Sequence, residues 1–157
     1  MIKTHKPKLL IRMTTALLGL IAIIASGCTS INVRPVDSGL ALSHVYIQKN
    51  NRVAVQDFLT VLVDGFARHG ISTTVVTPDY RAQENDFILL YTAFNKWDFT
   101  TYLSSAEIEL YIDKKRIGYA QYHLVGGGGL SLFKWQGTEA KLYPVIDELL
   151  QNYKLQK

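Results

Sequence analysis

The segment Tyr102-Leu103-Ser104-Ser105-Ala106-Glu107-Ile108-Glu109-Leu110-Tyr111-Ile112 repeats with a period of two. Ala106, Ile108, Leu110 and Ile112 fall on one face, and Glu107, Glu109 and Tyr111 on the other. A strand of this kind is covered on one side and wetter on the other. Asp113-Lys114-Lys115 turns the chain, and residues 116–125 return with Ala120, Tyr122 and Leu124 on one face. The two form a long hairpin whose apolar side needs a cover.

The rest of the chain supplies that cover. Residues 87–96 make another long β pattern, with Leu89, Tyr91 and Ala93 alternating with Leu90, Thr92 and Phe94. Residues 71–77 are β-branched apart from Ser72 and read as a strand, followed by a polar loop from Pro78-Asp79 to Asn85. Before them, apolar residues at 55, 58, 59, 62 and 66 have helical spacing. Asn50-Asn51 offers a cap for this helix, and Gly70 suits the left-handed position after it. Residues 44–48 form a first core strand carrying Val45 and Ile47. At the far end Leu142, Val145, Ile146, Leu149, Leu150 and Tyr153 make a helical stripe, with Thr138 as a cap. Pro144 is awkward inside that helix, which either kinks there or begins near Tyr143. The order is β-α-β-β-β-β-α. The expected fold is α+β: a two-layer sandwich with a mostly antiparallel sheet and two amphipathic helices on one face.

The N-terminal 27 residues have another character. Lys3, Lys6, Lys8 and Arg12 precede an apolar run of 13 residues, Met13 to Ala25, and no acid accompanies them. Basic region, apolar region and small residues make a secretory signal. A transmembrane helix needs about 20 apolar residues, so an uncleaved anchor is disfavoured. Ala25-Ser26-Gly27-Cys28 resembles the lipobox of bacterial lipoproteins, and Cys28 is the only cysteine in the chain. The resemblance implies cleavage between Gly27 and Cys28, thioether linkage of Cys28 to diacylglycerol, and N-acylation by a palmitate-type chain. Two or three acyl chains, at about 0.8 kcal/mol per buried CH₂, anchor stably where one does not. Position 29 is Thr rather than Asp, which by the same resemblance favours the periplasmic face of the outer membrane over inner-membrane retention. The expected organisation is a signal peptide over residues 1–27, a lipidated N-terminus and flexible tether over 28–41, and one periplasmic domain over 42–157. Pro35, Gly39 and the lack of a sustained period suggest the tether, which extended would span roughly 40 Å at about 3.3 Å per residue.

Charge narrows the partners. The chain has 17 basic and 13 acidic residues, a net charge of +4, and the whole excess lies in the leader. The neutral remainder does not suit nucleic acid, which calls for a clustered basic surface. The candidate partners are the membrane, through the anchor on Cys28, and a protein of the envelope.

Among contact candidates, Gly126, Gly127, Gly128 and Gly129 follow a strand. They match neither a dinucleotide loop nor a P-loop. Glycines cost about 0.5–1 kcal/mol each relative to alanine in ordered structure, so a steric or conformational need is implied. The bland reading is a bulged or flexible edge. The sharper one is a contact loop in which residues 130–135 run extended and Leu130, Leu132, Phe133 and Trp135 meet a partner or bilayer. Aromatics are frequent in the sheet region. Most read as ordinary β packing. The alternative is an aromatic face that binds a lipid or other amphiphile, anchored by Trp97 and Trp135.

Chemistry is less evident. His44, His69 and His123 lack metal-ligand spacing, so neither a metal nor a cofactor is expected. Glu107 and Glu109 share a strand face, more often a solvated face than a carboxylate pair at work. Asp98 beside Trp97 reads as a turn residue. No serine, histidine and aspartate carry a nucleophile signature, and the expectation is a non-catalytic protein.

Several segments together resemble a family: residues 64–71 (Asp-Gly-Phe-Ala-Arg-His-Gly-Ile), Tyr91-Thr92-Ala93, Trp97-Asp98, Ala106-Glu107, the glycine run with Leu130, and Lys134-Trp135. With the lipobox they are similar to the Sbal-type lipoproteins of Gram-negative bacteria, across nearly all of the chain after Cys28. That resemblance implies a lipoprotein and no particular activity. More loosely, the order of elements is similar to small envelope lipoproteins such as the lipopolysaccharide-assembly lipoprotein and the auxiliary lipoproteins of lipid transporters. That is an analogy of fold and transfers no residues.

Overall fold

The structure, a computed structural model, describes residues 29–128 and 132–153. Six strands form one sheet: β1 (Thr29–Arg34), β2 (His44–Gln48), β3 (Ser72–Val76), β4 (Phe87–Asp98), β5 (Thr100–Ile112) and β6 (Lys115–Leu124). Among the described residues two helices, α1 (Phe58–Ala67) and α2 (Thr138–Leu149), accompany it, with 3₁₀ turns at Val125–Gly128 and Leu132–Trp135. From β2 onward the order is the expected β-α-β-β-β-β-α, and the α+β sandwich is as the alternation implied.

The sheet order is β1-β6-β5-β4-β2-β3. β1, β6, β5 and β4 pair antiparallel, whereas β2 runs parallel to both β3 and β4. The sheet is therefore mixed, antiparallel over its long strands and parallel around the β2-α1-β3 crossover. A parallel neighbour needs a crossover connection, and α1 provides it.

Residues 28–41 were expected to tether the domain, and this is corrected. Thr29–Arg34 pairs along its whole length with β6, from Thr29 opposite Leu124 to Arg34 opposite Tyr119. Beyond it Val36 is fully buried, its N–H donating to Leu149 O at 2.9 Å. Asn152 Nδ2 donates to Val36 O at 2.8 Å. Residues 29–36 thus belong to the folded domain, which was expected to begin at 42.

Why the helices lie where they do follows from their stripes. In α1 the buried residues are Phe58, Val61, Leu62, Gly65 and Phe66, spaced for one face. It starts at Phe58, later than the Asn50-Asn51 cap implied. Asn50 instead folds a turn, its Nδ2 donating to Tyr91 O and its Oδ1 accepting from Arg52 N. Gly70 does take the left-handed conformation, φ 73. In α2 the buried set is Thr138, Lys141, Leu142, Val145, Ile146 and Leu149. This helix runs from Thr138 straight through Pro144, so it does not begin near Tyr143. Pro144 is exposed, and only the Ala140 carbonyl loses its intrahelical donor. Thr138 Oγ1 donates to Asp57 Oδ1 at 2.7 Å, fastening the start of α2 to the start of α1.

Both helices cover the face carrying Val45, Ile47, Leu89, Ala106, Ile108, Leu110, Ala120 and Leu124, which form one core with them. The opposite face holds Glu107 and Glu109, as the period of two implied. The β5–β6 turn has Asp113 and Lys114 both at positive φ, 47 and 66, the geometry of a two-residue type I′ hairpin.

Candidate functional site

The ladder fixes which residues share an end of the molecule. Ser30 pairs with His123, His123 with Ser105, and Ser105 with Phe94, so these four lie in one row across four strands. Past this row the β4–β5 register shifts. Ser104 is the extra residue, and its hydroxyl donates to Phe94 O at 2.9 Å. The hairpin then continues to its tip at Phe99, held at φ 59 between paired Asp98 and Thr100. From Asn95 to Phe99 is about 13 Å at about 3.3 Å per residue, so the tip projects beyond the body of the sheet.

This projecting end carries the exposed aromatic surface of the described residues. Phe94, Trp97 and Phe99 are 63, 76 and 88% exposed, and Trp135 is 38% exposed. Elsewhere, aromatics pack as the bland reading held: Tyr91 is buried and stacks on Phe58, and Tyr102 and Tyr122 are buried.

Of Trp97 and Trp135, singled out on sequence grounds, Trp135 docks on the residue next to Trp97. Trp135 Nε1 donates to Asp98 O at 3.2 Å, one residue from Trp97. Lys134 Nζ meets Asp98 Oδ2 at 2.5 Å and lies 4.6 Å from the Trp135 ring centroid. The Asp98 carboxylate is thus neutralised at the tip. Lys134 is itself buried, as is Lys141, whose Nζ donates to Leu103 O at 3.0 Å and Lys134 O at 2.6 Å. Burial pushes the Lys141 pKa down to about 8. The pair of lysines pins the 132–135 turn to the base of the hairpin. Asp98 is therefore more than the turn residue expected of it.

The glycine run is at the same end, because Leu124 pairs with Thr29 and Val125–Gly128 follows at once. Gly126 has φ 60 with open space around it, so its need is conformational rather than steric. Gly127 and Gly128 complete a 3₁₀ turn. Leu132–Trp135 is also a 3₁₀ turn, which corrects the extended reading over residues 132–135. Gly129, Leu130, Gly27 and Cys28 lie outside the described residues, as does the side chain of Phe133.

The carboxylates of β5 are taken up by neighbours on the outer face. Glu109 pairs with Arg116 at 2.5 Å. Glu107 hydrogen-bonds Tyr119 and, with burial, lifts its pKa to about 12. They edge an open groove of about 540 Å³ shared with Lys49, Asn51 and Arg52. A second open groove of about 640 Å³ runs between the hairpin base, Trp135 and the starts of both helices. His69, placed by sequence near a helix end, has Nε2 2.9 Å from Asp147 Oδ1 and Nδ1 2.8 Å from Tyr153 O, tying that end to α2 and the C-terminal segment. Among the described residues, no three His, Cys, Asp or Glu gather as a metal site, and no helix is long and apolar enough to cross a membrane.

Sequence reasoning counted Phe99 only among the frequent aromatics of the sheet region, and it missed the Asp98–Lys134 link. Phe99 carried a signal, since an aromatic between two β patterns sits at a hairpin tip. The link carried none, because 36 residues separate its partners.

No family model and no curated protein matches the chain. Among solved structures it is similar to the PelC dodecamer of Paraburkholderia phytofirmans in two crystal forms. The TM-scores are 0.52 and 0.51 at 10% identity, over 82% of this chain and 99% of that one. At that identity the likeness is one of fold.

Proposed function

We propose that this chain is a lipid-anchored accessory protein of the Gram-negative envelope, acylated on Cys28, facing the periplasm from the outer membrane and acting without catalysis. One observation carries the reading. The lipobox-like Ala25-Ser26-Gly27-Cys28 directly precedes Thr29, which is paired in the sheet opposite Leu124. Cleavage before Cys28 would spare every strand of the described residues. The resemblance to the Sbal-type lipoproteins points the same way. Thr29, in place of Asp, supports the outer over the inner membrane.

An amphiphile carrier is the second reading considered on sequence grounds. It calls for an enclosed apolar cavity, whereas the grooves beside β5 and the hairpin are open and edged by charged or polar side chains. This favours the accessory role, with the outer sheet face free to meet an envelope protein.

Membrane fractionation and intact-mass analysis of Cys28→Ser beside wild type test the anchor. Loss of the acyl mass and release of the variant from the membrane fraction are expected. Retention of the unacylated variant in the membrane would point to an uncleaved apolar helix instead. A photo-crosslinker at Thr92 on the outer face tests the accessory role. Capture of one envelope protein supports it, and no capture in intact cells counts against it.

A further inference from the structure

Thr29, the residue that follows the proposed acylation site, and the exposed aromatics lie at one end of the sheet. We infer that the β4–β5 hairpin end, with Trp97, Phe99 and Trp135, is a membrane-interface contact that seats the domain on the bilayer holding its anchor. The inference rests on the lipoprotein reading and adds an orientation to it.

Three observations carry it. First, there is no slack. Cys28 is one peptide, about 3.8 Å between Cα atoms, from Thr29, and Thr29 is fixed opposite Leu124. An acyl group at residue 28 therefore holds this end of the sheet at the membrane. The hairpin tip, about 13 Å further along the strands, is then the part that reaches the headgroups. Secondly, the tip has the chemistry of an interface. Tryptophan and other large aromatics sit at headgroup level, where an apolar ring and a polar atom are both accommodated. Trp97 and Phe99 are among the most exposed large apolar residues of the described chain.

Thirdly, two polar groups at the tip are already paired. The Asp98 carboxylate meets Lys134, and the Trp135 N–H is held by Asp98 O. Entering a less polar layer therefore strands neither. Lys96, exposed beside Trp97, suits the phosphates of that layer. A second copy of the chain or an envelope protein on the same patch would not need the anchor and the aromatics to share an end.

The chain's two tryptophans make the test direct, because they are its only ones. Acylated full-length protein carrying Trp135→Phe is reconstituted into phosphatidylethanolamine–phosphatidylglycerol vesicles, with and without brominated acyl chains. Flotation is checked first. Trp97 emission is expected to shift to the blue and to lose about half its intensity to the brominated lipid, as for a ring at headgroup level. Trp97→Phe reports Trp135 in the same way, with weaker quenching. Vesicles that float with Trp97 unquenched and red-emitting would overturn the inference and leave the lipoprotein reading intact. A blue shift without quenching means a protein surface covers the tip, and overturns it as well. Acylated protein that fails to float would remove both.

Discussion

Two residues carry much of the packing logic. Gly118 on β6 faces the core. A Cβ there would stand 2.7 Å from Val36 Cγ2 and 3.1 Å from Leu149 Cδ1. Only glycine lets the segment after β1 and the end of α2 close on the sheet at this point. Gly118→Ala is expected to destabilise the domain by about 1–3 kcal/mol in urea unfolding. Lys141 is a buried cation at the core edge, its pKa lowered to about 8 by desolvation. Below that pH both folded and unfolded chains hold the proton. Between about 8 and the ordinary 10.5, the unfolded chain binds a proton that the folded one has released, so stability rises with pH. Tyr119, held up near 12, opposes this above its ordinary 10.0, leaving pH 8 to 10 as the window to read. Lys141→Met should flatten that slope. It should also cost about 1–3 kcal/mol at neutral pH, by removing the ammonium that donates to Leu103 O and Lys134 O.

At the scale of elements, the sequence is most legible where an element carries its own amphipathic pattern. Residues 102–112 show it: alternation with a covered face dictates a strand whatever its partners. The α2 stripe was as clear, and its continuation through Pro144 follows from that proline facing water. β1 was not legible. Ile31 and Val33 alternate with Ser30, Asn32 and Arg34, but Ile31 stays 45% exposed on an edge strand. What orders β1 is the open edge of β6, far away in the chain, and not its own periodicity. The parallel pairing of β2 was equally hidden, since its residues read the same in either direction. Removing residues 29–34 should therefore expose a sheet edge and lower the unfolding midpoint, rather than merely shorten a linker. In the β5–β6 turn, Asp113 and Lys114 both sit in the left-handed region, which costs a side chain roughly 1–2 kcal/mol. Asp113→Asn with Lys114→Gly is expected to raise thermal stability, and calorimetry of the double variant checks it.

For the whole molecule, the lipobox-like motif and the two tryptophans were visible in the sequence, but their convergence was not. It depends on register: Thr29 opposite Leu124, and Ser105 opposite both His123 and Phe94. Those pairings bring Thr29, the residue after the cysteine motif, together with a glycine turn and a hairpin tip at one end. They also leave the outer sheet face, the proposed site of an envelope partner, pointing elsewhere. The whole account depends on the chain beginning, in its native form, at an acylated Cys28. Mass spectrometry of the N-terminal peptide from membranes reads this most directly. The peptide is expected to start at Cys28 and to carry diacylglycerol and a further acyl group. A bare thiol on Cys28, or a peptide that still contains Gly27 and the leader, would contradict it.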